Sequence, residues 1–133
     1  MIWGIGTDLV SIERFVPWLA KPHLISRFFD AQELEACTGS PHAIAASLAA
    51  RFAAKEAFGK ALGTGMRGLK LSDISVRNDA LGKPSLCVVG SAEQAIQRSV
   101  GVTAHKNTRI HLSLSHDHGC ALAFVIVETT DKE

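Results

Sequence analysis

The sequence predicts an α+β fold, because helical periodicity fills much of the first sixty residues while strand patterns fill the second half, with one strand at the very start. No internal repeat and no long linker interrupts this order, so the 133 residues form one domain spanning 1–133. Hydrophobic residues make up 47% of the chain and charged residues 20%, enough apolar material for a core. Lys+Arg (14) nearly cancel Asp+Glu (13), for a net charge of +1. That leaves none of the basic excess that phosphate-backbone binders use, so no nucleic-acid partner is expected. The longest apolar run, Cys120 to Val127, is far short of the ~20 residues a bilayer span needs, so no membrane partner is expected either. Cys37, Cys87 and Cys120 are an odd set without close spacing, which reads as reduced thiols in a cytoplasmic protein.

Residues 2 to 9 carry apolar and β-branched residues on both parities, which suits a buried strand, and the period of two places Gly4, Gly6 and Asp8 on one face. Two glycines leave that face bare, so a packed helix or a ligand must approach the backbone there. Ile12, Phe15, Val16 and Leu19 recur at helical spacing, predicting a helix from Ser11 with a kink or restart at Pro17, and Arg14, Trp18 and Lys21 fall on its other side. Asp30-Ala31-Gln32-Glu33 matches a capping box opening a short helix that Gly39-Ser40-Pro41 closes. Residues 41 to 62 are the strongest helix: 14 of these 22 are Ala, Leu, Ile or Phe, and Gly63 stops it. Residues 69 to 77 and 84 to 89 read as strands around the turn 78 to 83, residues 91 to 100 as a helix capped at Ser91, and 109 to 115 with 120 to 128 as a closing hairpin.

Gly63-Thr64-Gly65-Met66-Arg67-Gly68 spells a dinucleotide fingerprint, but it follows a helix and precedes a strand, the reverse of the required order. It reads as a helix end and loop, or as a glycine loop near an anion served by Lys60, Arg67 or Lys70, since a helix C-terminus itself repels anions. Phe52, Glu56 and Lys60 share one helix face at steps of four. Glu56 and Lys60 are either a solvated surface pair or a cation ligand and an anion contact, with Asp8 as the second carboxylate. Ser115-His116-Asp117 is no catalytic triad, since consecutive residues do not converge. His116, His118 and Cys120 could ligate zinc or simply face water in a turn.

Three segments together resemble the holo-acyl-carrier-protein synthase family, the small class of 4′-phosphopantetheinyl transferases: residues 4 to 10 (GIGTDLV), 51 to 65 (RFAAKEAFGKALGTG) and 111 to 116 (HLSLSH). The turn 78 to 83 followed by Pro84 fits as well, so the resemblance spans nearly the whole chain. It implies a long central helix on a mainly antiparallel sheet, with the site at a subunit interface of a homo-oligomer, by family a trimer. It also implies Mg2+-dependent transfer of the 4′-phosphopantetheine arm of coenzyme A to a serine of apo acyl carrier protein, in support of fatty acid biosynthesis. By motif match Asp8 and Glu56 hold the metal, Lys60 lies by the pyrophosphate, and Gly63, Gly65, Ser115 and His116 line the coenzyme A site. Glu56, or a water on the metal, accepts the serine proton, and Lys60 offsets charge on the departing bisphosphate. Arg14, Trp18 and Lys21, with Arg27, offer an acidic carrier protein a cationic face with an aromatic anchor. The competing readings are a non-catalytic module that captures coenzyme A or a nucleotide, and the zinc protein.

Overall fold

The computed structural model describes residues 1–101 and 104–130; residues 102–103 and 131–133 of the expected domain lie outside the described set. Strand β1 (Ile2–Ser11) opens the chain, and β4 (Thr108–Asp117) and β5 (Cys120–Thr129) close it, forming one antiparallel sheet in the order β1-β5-β4. The β4–β5 hairpin turns on just His118 and Gly119, both at positive φ (49° and 74°), the primed-turn geometry that matches strand twist. On central β5, alternation puts Ala121, Ala123, Val125 and Val127 wholly inside, while Leu122 and Phe124 stay exposed on the opposite face.

Between the strands of this sheet in sequence lie four helices and a second, two-stranded sheet. Helix α1 is Pro22–Phe28, α2 is Ala31–Glu35, α3 is Pro41–Leu62 and α4 is Gly90–Val100; β2 (Ile74–Asn78) pairs antiparallel with β3 (Pro84–Val88). The α+β expectation of a long central helix on an antiparallel sheet is met. Helix α3 begins where Ser40 Oγ accepts from the Ala43 N–H at 3.1 Å with Pro41 in the first turn, and it ends at Gly63 in the left-handed region (φ 81°). Its alanine-rich surface is buried on nearly every side, which suits a helix running through the middle of the molecule.

The bare face of β1 is filled by this helix. A Cβ on Gly4 would stand 1.9 Å from the Ala61 carbonyl oxygen, and one on Gly6 would stand 1.9 Å from that of Ala57. Backbone therefore lies directly on backbone, and β1 delivers Asp8, the next residue on that face, against α3.

Several expected elements take another form. Residues 12 to 20 make two 3-10 turns, Ile12–Phe15 and Pro17–Ala20, in place of a kinked α-helix. Pro17 has no N–H for the Glu13 carbonyl, which instead accepts from Val16 at 3.2 Å in the tighter i→i+3 bond. Helix α1 has no counterpart among the expected elements, being too short to display a period. Asp30 does cap α2, its Oδ1 accepting from the Glu33 N–H at 2.6 Å, but Glu33 does not reach back to complete a box. Its side chain is fully buried, accepting from Lys55 Nζ at 2.7 Å and from the Val76 N–H at 2.8 Å. Lys55 in turn donates to the carbonyls of Leu71 and Ile74, and burial draws its ammonium below the ordinary lysine range against the pull of Glu33. Those bonds pin residues 71 to 73 as a 3-10 turn, so the strand expected from 69 begins only at Ile74. The cap of α4 comes from elsewhere too: Asp73 Oδ2 accepts from the Ser91 N–H (2.9 Å) and Oγ (2.7 Å), while Ser91 sits inside the first turn.

Candidate active site

Where β1 passes over the C-terminal half of α3, Asp8, Glu56 and Lys60 come together. Asp8 is only 15% exposed, and its Oδ1 accepts from Lys60 Nζ at 3.0 Å; the same ammonium donates to the Thr7 carbonyl at 2.9 Å. Glu56 lies one helical turn before Lys60 on the same face and is partly covered. Burial, then repulsion from the Asp8 carboxylate, holds its carboxyl above the ordinary glutamate range, with Lys60 and Arg14 opposing. The Asp8 carboxylate stands near enough to disturb the ionisation of Glu56, and together the two, one from a strand and one from a helix, are a hard-oxygen donor set. A divalent cation such as Mg2+, which takes one or two protein carboxylates, fits between them. The pairing of Glu56 and Lys60 as neighbours on a merely solvated helix face does not describe this arrangement, because Lys60 is engaged with β1.

The residues expected to contact coenzyme A divide between two places. Gly63 and Gly65, with Thr64, Arg67 and Arg98, line a cavity of about 640 Å³ just beyond the end of α3. Ser115 and His116 line another, of about 500 Å³, against the first half of α3 and the β2–β3 turn, with His42, Ser47, Arg51 and Pro84. Helical rise alone separates Ser47 from Lys60 by roughly 20 Å. Arg51 has no expected role from its sequence position, yet it is 5% exposed, holds the Ser47 carbonyl at 3.3 Å, and leaves Nε without a partner among the described residues. Its signal in the sequence is an arginine facing into an otherwise alanine-lined helix.

The carrier-facing set is less regular than a helix would make it. The spacing of Arg14, Trp18 and Lys21 assumed one α-helix, and the two 3-10 turns break that spacing. Trp18 is half-buried, its ring centroid 4.7 Å from Phe15 and 5.5 Å from Phe28. Arg14 stacks 5.0 Å above Phe52, one turn before Glu56, while Lys21 and Arg27 are exposed. The zinc alternative fails: His118 is 92% exposed at the turn, and no three His, Cys, Asp or Glu residues among those described come together to hold a metal.

Comparison with known proteins bears on the whole of this arrangement. Residues 4–123 match the family model described as the 4′-phosphopantetheinyl transferase superfamily. The holo-[acyl-carrier-protein] synthase of Treponema denticola is 48% identical over 128 residues, covering 96% of this chain and 99% of that protein. The crystal structure of holo-[acyl-carrier-protein] synthase from Neisseria meningitidis superposes with a TM-score of 0.77 at 37% identity, over 96% of this chain and 99% of that one. A Bacillus anthracis holo-(acyl-carrier-protein) synthase, solved in complex with CoA (3′,5′-ADP), superposes with a TM-score of 0.75 at 34% identity, over 98% and 99% of the two chains. With a family model covering nearly all of the chain and full-length relatives above 40% identity, this protein belongs to the 4′-phosphopantetheinyl transferase superfamily.

Proposed function

We propose that the chain transfers the 4′-phosphopantetheine group of coenzyme A to a serine of apo acyl carrier protein, giving holo carrier protein and adenosine 3′,5′-bisphosphate, with Asp8, Glu56 and Lys60 as its working residues. One observation carries this reading: those three side chains meet at the crossing of β1 and α3 in a chain that matches holo-[acyl-carrier-protein] synthases end to end. A module that only captured coenzyme A would have no use for two carboxylates facing a pyrophosphate.

In the reaction the serine oxygen forms a bond to the pantetheine-bearing phosphorus, and the bond from that phosphorus to the bisphosphate breaks. Phosphoryl transfer of this kind asks the protein for positioning and for neutralisation of charge. Asp8 and Glu56 would hold Mg2+, which would screen the charge of the pyrophosphate and make its phosphorus a better electrophile. Glu56 accepts the serine proton. Lys60 carries the positive charge that the departing bisphosphate needs. Arg51 lines the same cavity as Ser115 and His116 and brings a positive charge to it for an anionic part of coenzyme A.

The division of the coenzyme A residues between two cavities supports a site assembled from two copies, each supplying one part. A suitable contact surface exists. The outer face of the sheet shows Trp3 (43% exposed), Ile5 (53%), Leu9 (64%), Leu122 (40%) and Phe124 (38%), a continuous apolar patch. We assign this face to the homo-oligomer, a trimer by family. Phe124→Arg, at the middle of the patch beside Thr7 and Ser113, is therefore expected to give a monomer by light scattering with far-ultraviolet circular dichroism unchanged, and to lose most activity. A Phe124→Arg protein of unchanged mass would refute the assignment.

Lys21 and Arg27, with the exposed edge of Trp18, remain the surface for an acidic carrier protein, and the free thiols Cys37, Cys87 and Cys120 suit the cytoplasm. The activity is tested by incubating the chain with coenzyme A, Mg2+ and apo acyl carrier protein and weighing the carrier intact. The expected result is a mass gain of one phosphopantetheine group that disappears with chelator. No gain on a carrier that another transferase can modify would sink the proposal.

A further inference from the structure

The position of Lys60 carries an inference about how the site fills. A lysine one turn from the end of a helix, 53% exposed, is free to extend into water. Lys60 instead folds back across to β1 and sets its ammonium on two oxygens, the Thr7 carbonyl at 2.9 Å and Asp8 Oδ1 at 3.0 Å. A carbonyl and a carboxylate side by side are the oxygen ligands a hard divalent cation also takes. Glu56, by contrast, makes no side-chain hydrogen bond of its own among the described residues. Of the two carboxylates, one is therefore already occupied by a cation and the other waits for one.

We propose that Lys60 is a stand-in cation: its ammonium holds Asp8 whenever no metal is bound and must leave for a divalent metal to bind there, and the pyrophosphate of coenzyme A draws it away, so that metal and coenzyme A bind with positive coupling. The inference rests on the reading of Asp8 and Glu56 as the metal carboxylates. An ammonium and a divalent ion on the same carboxylate oxygen repel each other, so each excludes the other. The four-carbon stem of lysine lets the charge swing out on a single side chain, where the planar fork of arginine would be held by its geometry. Pyrophosphate oxygens arriving beyond Glu56 offer the ammonium a more negative partner than a single carboxylate. By linkage, if coenzyme A raises metal affinity, metal raises coenzyme A affinity by the same factor.

The test is Mn2+ binding followed by electron paramagnetic resonance, with and without coenzyme A and corrected for Mn2+ held by coenzyme A alone, on the wild-type chain and on Lys60→Met and Lys60→Gln. Without coenzyme A both variants are expected to bind Mn2+ about five- to tenfold more tightly than wild type, the size of one lost ion pair plus one removed repulsion. Coenzyme A is expected to tighten Mn2+ binding in wild type by a several-fold larger factor than in the variants, where only the direct attraction between metal and pyrophosphate remains. If both variants bind Mn2+ no more tightly than wild type without coenzyme A, the stand-in role is wrong. Asp8→Asn separates the two levels of the argument: it should abolish Mn2+ binding. Full Mn2+ binding by Asp8→Asn overturns the metal reading and the inference with it, whereas loss in Asp8→Asn with no gain in the lysine variants overturns the inference alone.

Discussion

Glu56→Gln is expected to leave the chain folded and to remove at least about three orders of magnitude from kcat/KM, because one substitution takes away both a metal carboxylate and a proton acceptor, each worth roughly 10²–10⁴-fold where measured. The same change should stabilise the metal-free chain. In the fold, burial and Asp8 raise the pKa of Glu56 above its ordinary value, so the fold favours the protonated carboxyl. The stability linked to that preference is fully present below the ordinary carboxylate range and is lost as pH rises through the raised value. Well above the raised value the group is charged in both folded and unfolded chains and the whole penalty is in force. A neutral, isosteric glutamine removes it. Thermal melts without metal should show Glu56→Gln above wild type at about pH 8, with the gap closing toward about pH 4. Saturating Mg2+ should reverse the order by stabilising wild type alone. More than about a tenth of wild-type kcat/KM in the variant at saturating Mg2+ would mean that Glu56 does neither job.

That opposition between activity and stability bears on what the sequence discloses. A site keeps groups that the fold alone would discard, and such groups stand out locally. Asp8 at the end of a glycine-bared strand face, and Glu56 with Lys60 in step on an alanine-rich helix, are visible in the sequence as positions, but the roles proposed for them come from the resemblance, since a Glu–Lys pair at that spacing reads equally as a solvated helix pair. Helix α3 was legible too, since Ser40-Pro41 and Gly63 mark its ends by backbone rules that need no tertiary information. The misreadings share one cause. Glu33 looked like half of a capping box because its partner Lys55 lies 22 residues away, and residues 69 to 73 looked like a strand because the lysine that claims the Leu71 carbonyl is likewise distant in sequence. Ser91 looked like a cap because Asp73, 18 residues upstream, does the capping. A polar residue's local role yields to a long-range partner, and most firmly where that partner is buried, as Lys55 is, since an unmatched buried charge costs far more than a cap supplies. Arg51 passed unassigned for the complementary reason: its meaning depends on the cavity beside it, which the β2–β3 turn and the end of β4 build from distant sequence.

The pair Gly4 and Gly6 left one question open, whether a helix or a ligand approaches the bare strand face, and the answer sets the second large effect. Gly6→Ala is expected to lower the melting temperature by about 15 °C or more, or to prevent recovery of folded protein. The new Cβ would lie 1.9 Å from the Ala57 carbonyl oxygen and 2.7 Å from the Ala61 nitrogen. Overpacking against side chains costs about 1–3 kcal/mol because rotamers can give way. Here both obstacles are main chain of a buried helix, so β1 and α3 must part, and the cost rises to about 4 kcal/mol or more, a large share of the roughly 5–15 kcal/mol that holds a domain together. At roughly 4 °C per kcal/mol for a domain of this size, that is the stated shift. Parting the two elements also moves Asp8 from Lys60, so any folded fraction should be nearly inactive. Thr7→Ala, one residue on and facing outward, should melt within a few degrees of wild type. Because the obstacle is backbone, Ala57→Gly gives no relief, and the double variant Gly6→Ala/Ala57→Gly should be no more stable than Gly6→Ala. Recovery in the double variant would mean that the helix meets the strand through the Ala57 side chain, and that the direct seating of α3 on β1, which brings Asp8 to Glu56, is not what shapes this site.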